Sequence, residues 1–207
     1  MIWFSTIQKT GSTSLRSILK NPDYYNKARF HEHGYFFNPW TNNEDSEKLW
    51  YQFGWSPPLL ANKMTDKDDF IAIVRNPFDV FVSYYEHQNR KGWGNVNIAL
   101  GIKSFEQFFE YYTNPEIIWH LPPMKKSMFS FIYDEDDNLM ITDYYKLEEI
   151  DKLNSFLNSI DLPNLEVTNE TINKKDYRTY YTPKMVKKLK EIWKKDLEYF
   201  NYDIDIS

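Results

Sequence analysis

A chain of 207 residues with 42% hydrophobic content can bury a core of its own, so one domain over 1–207 is the expectation. The net charge of −5 is the wrong sign for a general nucleic-acid binder, whose affinity comes from neutralising phosphates with a basic surface. No cysteine is present, which excludes a disulfide framework, and no apolar run approaches the ~18 residues of a membrane span. With the first strand beginning at once and no signal peptide ahead of it, a soluble cytoplasmic protein without a membrane partner is expected.

Ile2, Trp3 and Phe4 begin a strand predicted over 2–6, and an amphipathic helix predicted over 12–20 follows Gln8, Lys9, Thr10, Gly11, Ser12, Thr13 and Ser14. Strand, loop and helix together make an anion site. Gly11 lets the backbone turn, hydroxyls and N–H groups donate, the helix N-terminus adds partial positive charge, and Lys9 adds a whole one. The anion is read as a phosphate. The loop departs from the nucleoside-triphosphate pattern G-x-x-x-x-G-K-[ST], because Lys9 precedes Thr10-Gly11 and no glycine stands upstream. An ordinary surface turn would carry the same Lys-Thr-Gly-Ser string.

Beyond the first helix, His31 and His33 flank Glu32. Either imidazole suits a general base, since its ordinary pKa of about 6.5 leaves it largely neutral at pH 7. On a strand both rings would share one face, as a metal requires, but there is no Cys and no further ligand at convincing spacing, so no metal is assigned. Two solvated histidines are the alternative reading. His87 falls mid-helix and suits orienting a neighbour; His120, before Leu121-Pro122-Pro123, has no special role. A helix is predicted over 45–53 and a strand over 59–63, within and after a Trp-, Pro- and Asn-rich stretch, 34–58, that reads as a loop over the active edge.

Phe70 to Val74 is an uninterrupted apolar run with three branched side chains, the pattern of a buried parallel strand, predicted over 70–75. Arg75 ends it. Asn76 suits an N-cap, Pro77 the first helical position and Asp79 the helix dipole, so a helix is predicted over 77–90. Arg75 then projects from the carboxyl edge of a strand, where open α/β sheets bind ligands, and Ser83, two turns into the helix, is placed to share an anion with it. An Arg fork matches a terminal phosphate; its commoner fate is a pair with a nearby carboxylate.

The stretch 91–103, with Gly92, Gly94 and Gly101, reads as a loop, and Ser104-Phe105-Glu106-Gln107 opens a helix over 104–112 as a capping box. Strands are predicted over 128–133 and 139–143, with acidic Asp134 to Asn138 between them read as a hairpin turn rather than a metal site. Leu147, Ile150, Leu153, Leu157 and Ile160 form the apolar stripe of a helix over 147–159. In a last helix over 183–199, Val186, Leu189, Trp193, Leu197 and Phe200 recur on the core side. That leaves Lys184, Lys187, Lys188, Lys190, Lys194 and Lys195 on the solvated side rather than in a polyanion patch. Alternating strands and helices favour an α/β fold with a mostly parallel central sheet flanked by helices.

Gln8 to Ser14 resembles the 5′-phosphosulfate loop of sulfotransferases, and Arg75-Asn76-Pro77 with Ser83 resembles their 3′-phosphate motif. The tail, from Asn169-Glu170-Thr171 through Lys175 to Pro183 and Asp196 to Asp203, is similar to the C-terminal signature of the carbohydrate branch, which includes the Golgi-type and heparan or uronyl 2-O-sulfotransferases. The likeness spans Ile2 to Asp203. It implies a P-loop-like sulfotransferase fold and transfer of sulfuryl from 3′-phosphoadenosine 5′-phosphosulfate to a hydroxyl of a saccharide or small acceptor, with the bisphosphate as product and no metal required. It also implies that His33, before Gly34, is the better match to the family's base, and that Lys174, Lys175, Tyr177 and Arg178 reach the nucleotide. Since charge develops on the leaving phosphate and the equatorial oxygens, Lys9 is the expected cation at the reacting centre, with Thr10, Gly11, Ser12, Thr13 and Ser14 around the 5′-phosphate.

Tyr35, Phe36, Trp40, Trp55 and Trp93 fall in the expected loops, where flat faces stack on sugars; the family favours a saccharide acceptor, with lipid-linked or peptidyl tyrosine hydroxyls still open. No oligomeric state is assigned. Two other classes stay open: a nucleotide or small-molecule kinase with a degenerate P-loop, and a non-catalytic protein that keeps the nucleotide pocket.

Overall fold

The structure is a computed structural model that describes residues 2–5, 7, 10–19, 21, 24, 28–31, 69–89, 96–115, 128, 132, 139, 141–166 and 175–204. In chain order its elements are β1 (Ile2–Ser5), α1 (Ser12–Leu19), β2 (Ala28–His31), β3 (Asp69–Val74), α2 (Pro77–Gln88), α3 (Val96–Ala99), α4 (Phe105–Thr113), β4 (Asp143–Lys146), α5 (Ile150–Ser159), a 3-10 turn at Tyr177–Tyr180, α6 (Pro183–Ile192) and α7 (Lys194–Tyr199). The described residues fall into two compact units, one drawn from 1–74 and 128–168, the other from 75–127 and 169–207.

In the first unit the strands pair in the order β2-β1-β3-β4, all parallel, with Ile2 opposite both Ala28 and Asp69, and Ile71 opposite Asp143. Phe70 to Val74 are all buried, which is why β3 is apolar without alternation: it lies between two strands and is covered on both faces. Leu15 and Leu19 of α1, Leu153 and Leu157 of α5, and Phe4, Ile71 and Ile73 of the sheet share one core. Phe156 meets Phe4 edge-on at 6.3 Å and stacks on Tyr145 at 4.6 Å.

The second unit is built on α2, whose Phe81 meets Phe105, Phe108, Phe109 and Trp193 edge to face, at centroid distances of 5.0 to 6.2 Å. α4 starts with the first half of a capping box, Ser104 Oγ accepting from Gln107 N at 3.3 Å, while Gln107 Oε1 reaches one residue further back and accepts from Lys103 N at 2.7 Å. Along α6 and α7, Val186, Leu189, Trp193 and Phe200 are buried while the lysines stay exposed or half-exposed, so the cluster is the wet side of a packed helix pair.

Several expectations are corrected. β2 and α3 were not anticipated. The predicted strand 139–143 is displaced to 143–146 and the helix 147–159 starts at Ile150. Thr142 N donates to Phe70 O and Leu147 N to Val74 O, which brackets the pairing with β3 and leaves Leu147 in the turn after the strand. Of the strand predicted over 128–133 only Met128 and Ile132 are described, in a 3-10 turn and a turn respectively, and both are buried; the rest of it lies outside the described residues. The last helix is interrupted at Trp193 (φ −105°, ψ 27°), whose indole sits between Phe78 and Phe81. The elements expected at 45–53 and 59–63, the loop 34–58 and the turn 134–138 lie outside the described residues. Among the described residues no helix is long and apolar enough to cross a membrane.

Candidate active site

β1 leads through α1 to β2 on one side, while β3 pairs on its other side, so the strand order reverses between β1 and β3. In open parallel sheets that reversal opens a crevice at the carboxyl ends of the strands, where ligands bind. The turn after β1 is built for close approach. Thr10 is buried, and its Oγ1 donates to Ile7 O at 2.7 Å, closing the turn on itself. Gly11 has φ +87°, and Leu15 N donates to its carbonyl at 3.2 Å as the first bond of α1. A Cβ on Gly11 would stand 3.1 Å from Leu147 Cδ1 and 3.6 Å from Leu165 Cδ2, so a side chain there is strained by φ and presses on Leu147. α1 has no acidic residue in its first turn, where Thr13 is exposed and Ser14 buried.

The second unit holds Arg75, Ser83 and the tail residues. Arg75 follows β3 directly, and its Nε and Nη2 both donate to Asp79 Oδ2, at 2.9 and 2.6 Å, with the side chains 16% and 12% exposed. The carboxylate partner foreseen as the commoner fate of such an arginine is thus present, four residues along, and takes one edge of the fork. Ser83 lies one turn past Asp79 on the same face, half-buried. Asn76 caps α2 by accepting from Phe78 N at 3.0 Å and donates to Asp203 O at 3.1 Å, with the Tyr177 hydroxyl 3.4 Å away.

The tail turn is ordered by Asp176, whose Oδ1 accepts from Arg178 N at 2.9 Å and whose Oδ2 pairs with Arg178 Nη1 at 3.0 Å. Arg178 also lies over the Tyr177 ring, 4.9 Å from its centroid, and Lys175 is exposed. Tyr180 donates to Glu86 Oε1 at 2.7 Å and Tyr181 to Phe78 O at 2.8 Å. Burial and the Glu86 carboxylate push the Tyr180 hydroxyl up to about 12, and burial drives Tyr181 well above its ordinary range. The structure therefore brings the Arg75 segment and the Lys175 to Arg178 tail together. Gln8, Lys9, His33 and Lys174 lie outside the described residues; of Ser12 and His31 only the backbone is described, in α1 and β2. Sequence reasoning raised a carboxylate partner for Arg75 without identifying Asp79, which the four-residue spacing signals, and missed that Asn76 reaches the tail.

A parallel sheet whose strand order reverses beside β1, with helices following its strands, is an α/β fold. The Sulfotransferase family model matches residues 1–203, and the chain belongs to that family. No curated protein matches it. Family membership makes the protein a transferase of sulfuryl groups.

Proposed function

We propose that the protein is a single-domain, P-loop-like sulfotransferase acting in the cytoplasm, with 3′-phosphoadenosine 5′-phosphosulfate as donor and a hydroxyl of a carbohydrate or related small molecule as acceptor. The observation that carries the reading is the positive-φ turn at Gly11, opening an acid-free helix N-terminus directly after β1, in a chain whose family match runs from residue 1 to 203. That donor set fits a phosphate: backbone N–H groups near Gly11 with no Cβ in the way, and the dipole of α1. When bound, the nucleotide supplies a sulfuryl group on a good leaving phosphate. Thr10, whose hydroxyl proton is engaged by Ile7 O, contributes its backbone N–H, and Gln8, Gly11, Ser12, Thr13 and Ser14 complete the loop around the 5′-phosphate.

Lys9 neutralises charge at the leaving oxygen. Arg75, oriented by Asp79, and Ser83 take the 3′-phosphate, with Lys174, Lys175, Tyr177 and Arg178 closing from the tail. His33, or His31 two residues before it, accepts the proton of the acceptor hydroxyl.

Labelled sulfuryl donor incubated with mono- and oligosaccharides tests this. Wild type should transfer label. Lys9→Ala should lose roughly 10²- to 10³-fold in kcat, as for removal of one donor to developing charge, and His33→Ala about 10²- to 10⁴-fold. Equal turnover by wild type and His33→Ala would remove His33 from the role of base; label appearing on phenols but on no sugar would overturn the acceptor class.

A further inference from the structure

The Asn76 side chain serves two elements at once, and its two ends can be told apart. Phe78 N–H can only donate, so the amide oxygen must face it, at 3.0 Å; the Asp203 carbonyl can only accept, so the nitrogen must face that, at 3.1 Å. The Tyr177 hydroxyl lies 3.4 Å from the same nitrogen, a longer and weaker contact. The residue is 8% exposed, so these partners stand in place of water. Capping α2 asks only for an oxygen, which Ser, Thr or Asp supplies as well as Asn. The nitrogen is therefore surplus to the cap, and its contacts with Asp203 O and the Tyr177 hydroxyl are both with the tail.

That tail holds the 3-10 turn bearing Arg178, whose guanidinium is paired by Asp176 as that of Arg75 is paired by Asp79. Each arginine is thus oriented by a carboxylate of its own segment. We infer that Asn76 is a positioning residue: its amide nitrogen holds the tail to the N-terminus of α2 at two points, the Asp203 carbonyl and, more weakly, the Tyr177 hydroxyl that opens the turn, so that Arg178 and Arg75 serve one anion site. The second half of this statement rests on the nucleotide reading above; the first half does not.

Asn76→Ser separates the two roles, keeping an oxygen for the cap and removing the nitrogen without adding charge. In hydrogen exchange on the full chain, the amides of Arg178, Thr179 and Tyr181, which close the turn, should exchange about fivefold faster, within the range spanned by one neutral hydrogen bond, while those in the later turns of α2 keep their rates. Adenosine 3′,5′-bisphosphate should bind the variant more weakly by a similar factor. Unchanged exchange in the turn, or equal acceleration throughout α2, overturns the docking role. Faster exchange in the turn with unchanged affinity overturns its service to the site. Failure of the wild type to bind the bisphosphate would refute the nucleotide reading instead, and the exchange rates would still decide whether Asn76 docks the turn.

Discussion

Replacing Gly11 by Ala probes the turn on which the anion site depends. At φ +87° an L side chain is held in the left-handed half of the map, at a cost of about 1–2 kcal/mol. The new Cβ would lie 3.1 Å from Leu147 Cδ1, so that methyl must give way by a few tenths of an ångström; a partly off-rotamer leucine costs about 0.5–1.5 kcal/mol. Ala also narrows the unfolded ensemble, which returns about 0.4–1 kcal/mol. The net loss is about 2 kcal/mol. Gly101 is the internal control, having φ +69° but nothing within 4 Å of its would-be Cβ, so Gly101→Ala should cost about 1 kcal/mol from backbone alone. Urea unfolding measures both. For a chain of this size, Tm should fall by about 4–8 °C for Gly11→Ala and about 2–4 °C for Gly101→Ala. Shortening Leu147 to Ala relieves the contact, so Gly11→Ala with Leu147→Ala should cost about 1 kcal/mol less than the sum of the two. A neutral or stabilised Gly11→Ala would refute the strained turn, and additivity with Leu147→Ala would refute the close approach.

Arg75→Ala should weaken binding of a 3′-phosphorylated adenosine nucleotide by about ten- to a hundredfold, the worth of a charged hydrogen bond, and leave the 3′-hydroxyl analogue far less affected; equal losses in calorimetry would make Arg75 purely structural. Alkaline pH should destabilise the fold through its tyrosines. Burial raises Tyr84 and Tyr181, and lifts Tyr112 and Tyr180 to about 12, whereas unfolded tyrosines ionise at about 10. The folded state thus favours the neutral phenols: their contribution is complete below about pH 10 and is lost as the pH climbs through 12. The urea midpoint should fall over that window, with part of the phenolate absorbance appearing only on unfolding; a flat midpoint would contradict the burial.

The elements that could be read from the chain are those whose signals are local and strong. Phe70 to Val74 has the pattern of a doubly covered strand, and Asn76-Pro77 with Asp79 that of a helix start, which runs Pro77–Gln88 against a predicted 77–90. The missed elements lack such signals. β2 is four residues, Ala28-Arg29-Phe30-His31, paired on one edge only among the described strands, with too short an alternation to separate from a turn. β4, Asp143-Tyr144-Tyr145-Lys146, carries charges at both ends and half-buried tyrosines between, while Leu147 continues the apolar stripe of α5 backwards and so draws the helix start three residues early. In the site, the arginine and the glycine turn were legible because backbone chemistry singles them out. Leu147 and Leu165 over Gly11, and Asp203 on Asn76, were not, because those contacts join residues more than a hundred positions apart.

The central claim, a donor nucleotide recognised by its 3′-phosphate, is tested most directly by thermal unfolding with adenosine 3′,5′-bisphosphate set against ATP–Mg²⁺. A ligand at 100 times its dissociation constant stabilises the fold by about 2.7 kcal/mol, which for a chain of this size raises Tm by about 5–10 °C. The bisphosphate should give that rise and ATP–Mg²⁺ should not; stabilisation by ATP–Mg²⁺ alone would contradict the account and point to a kinase.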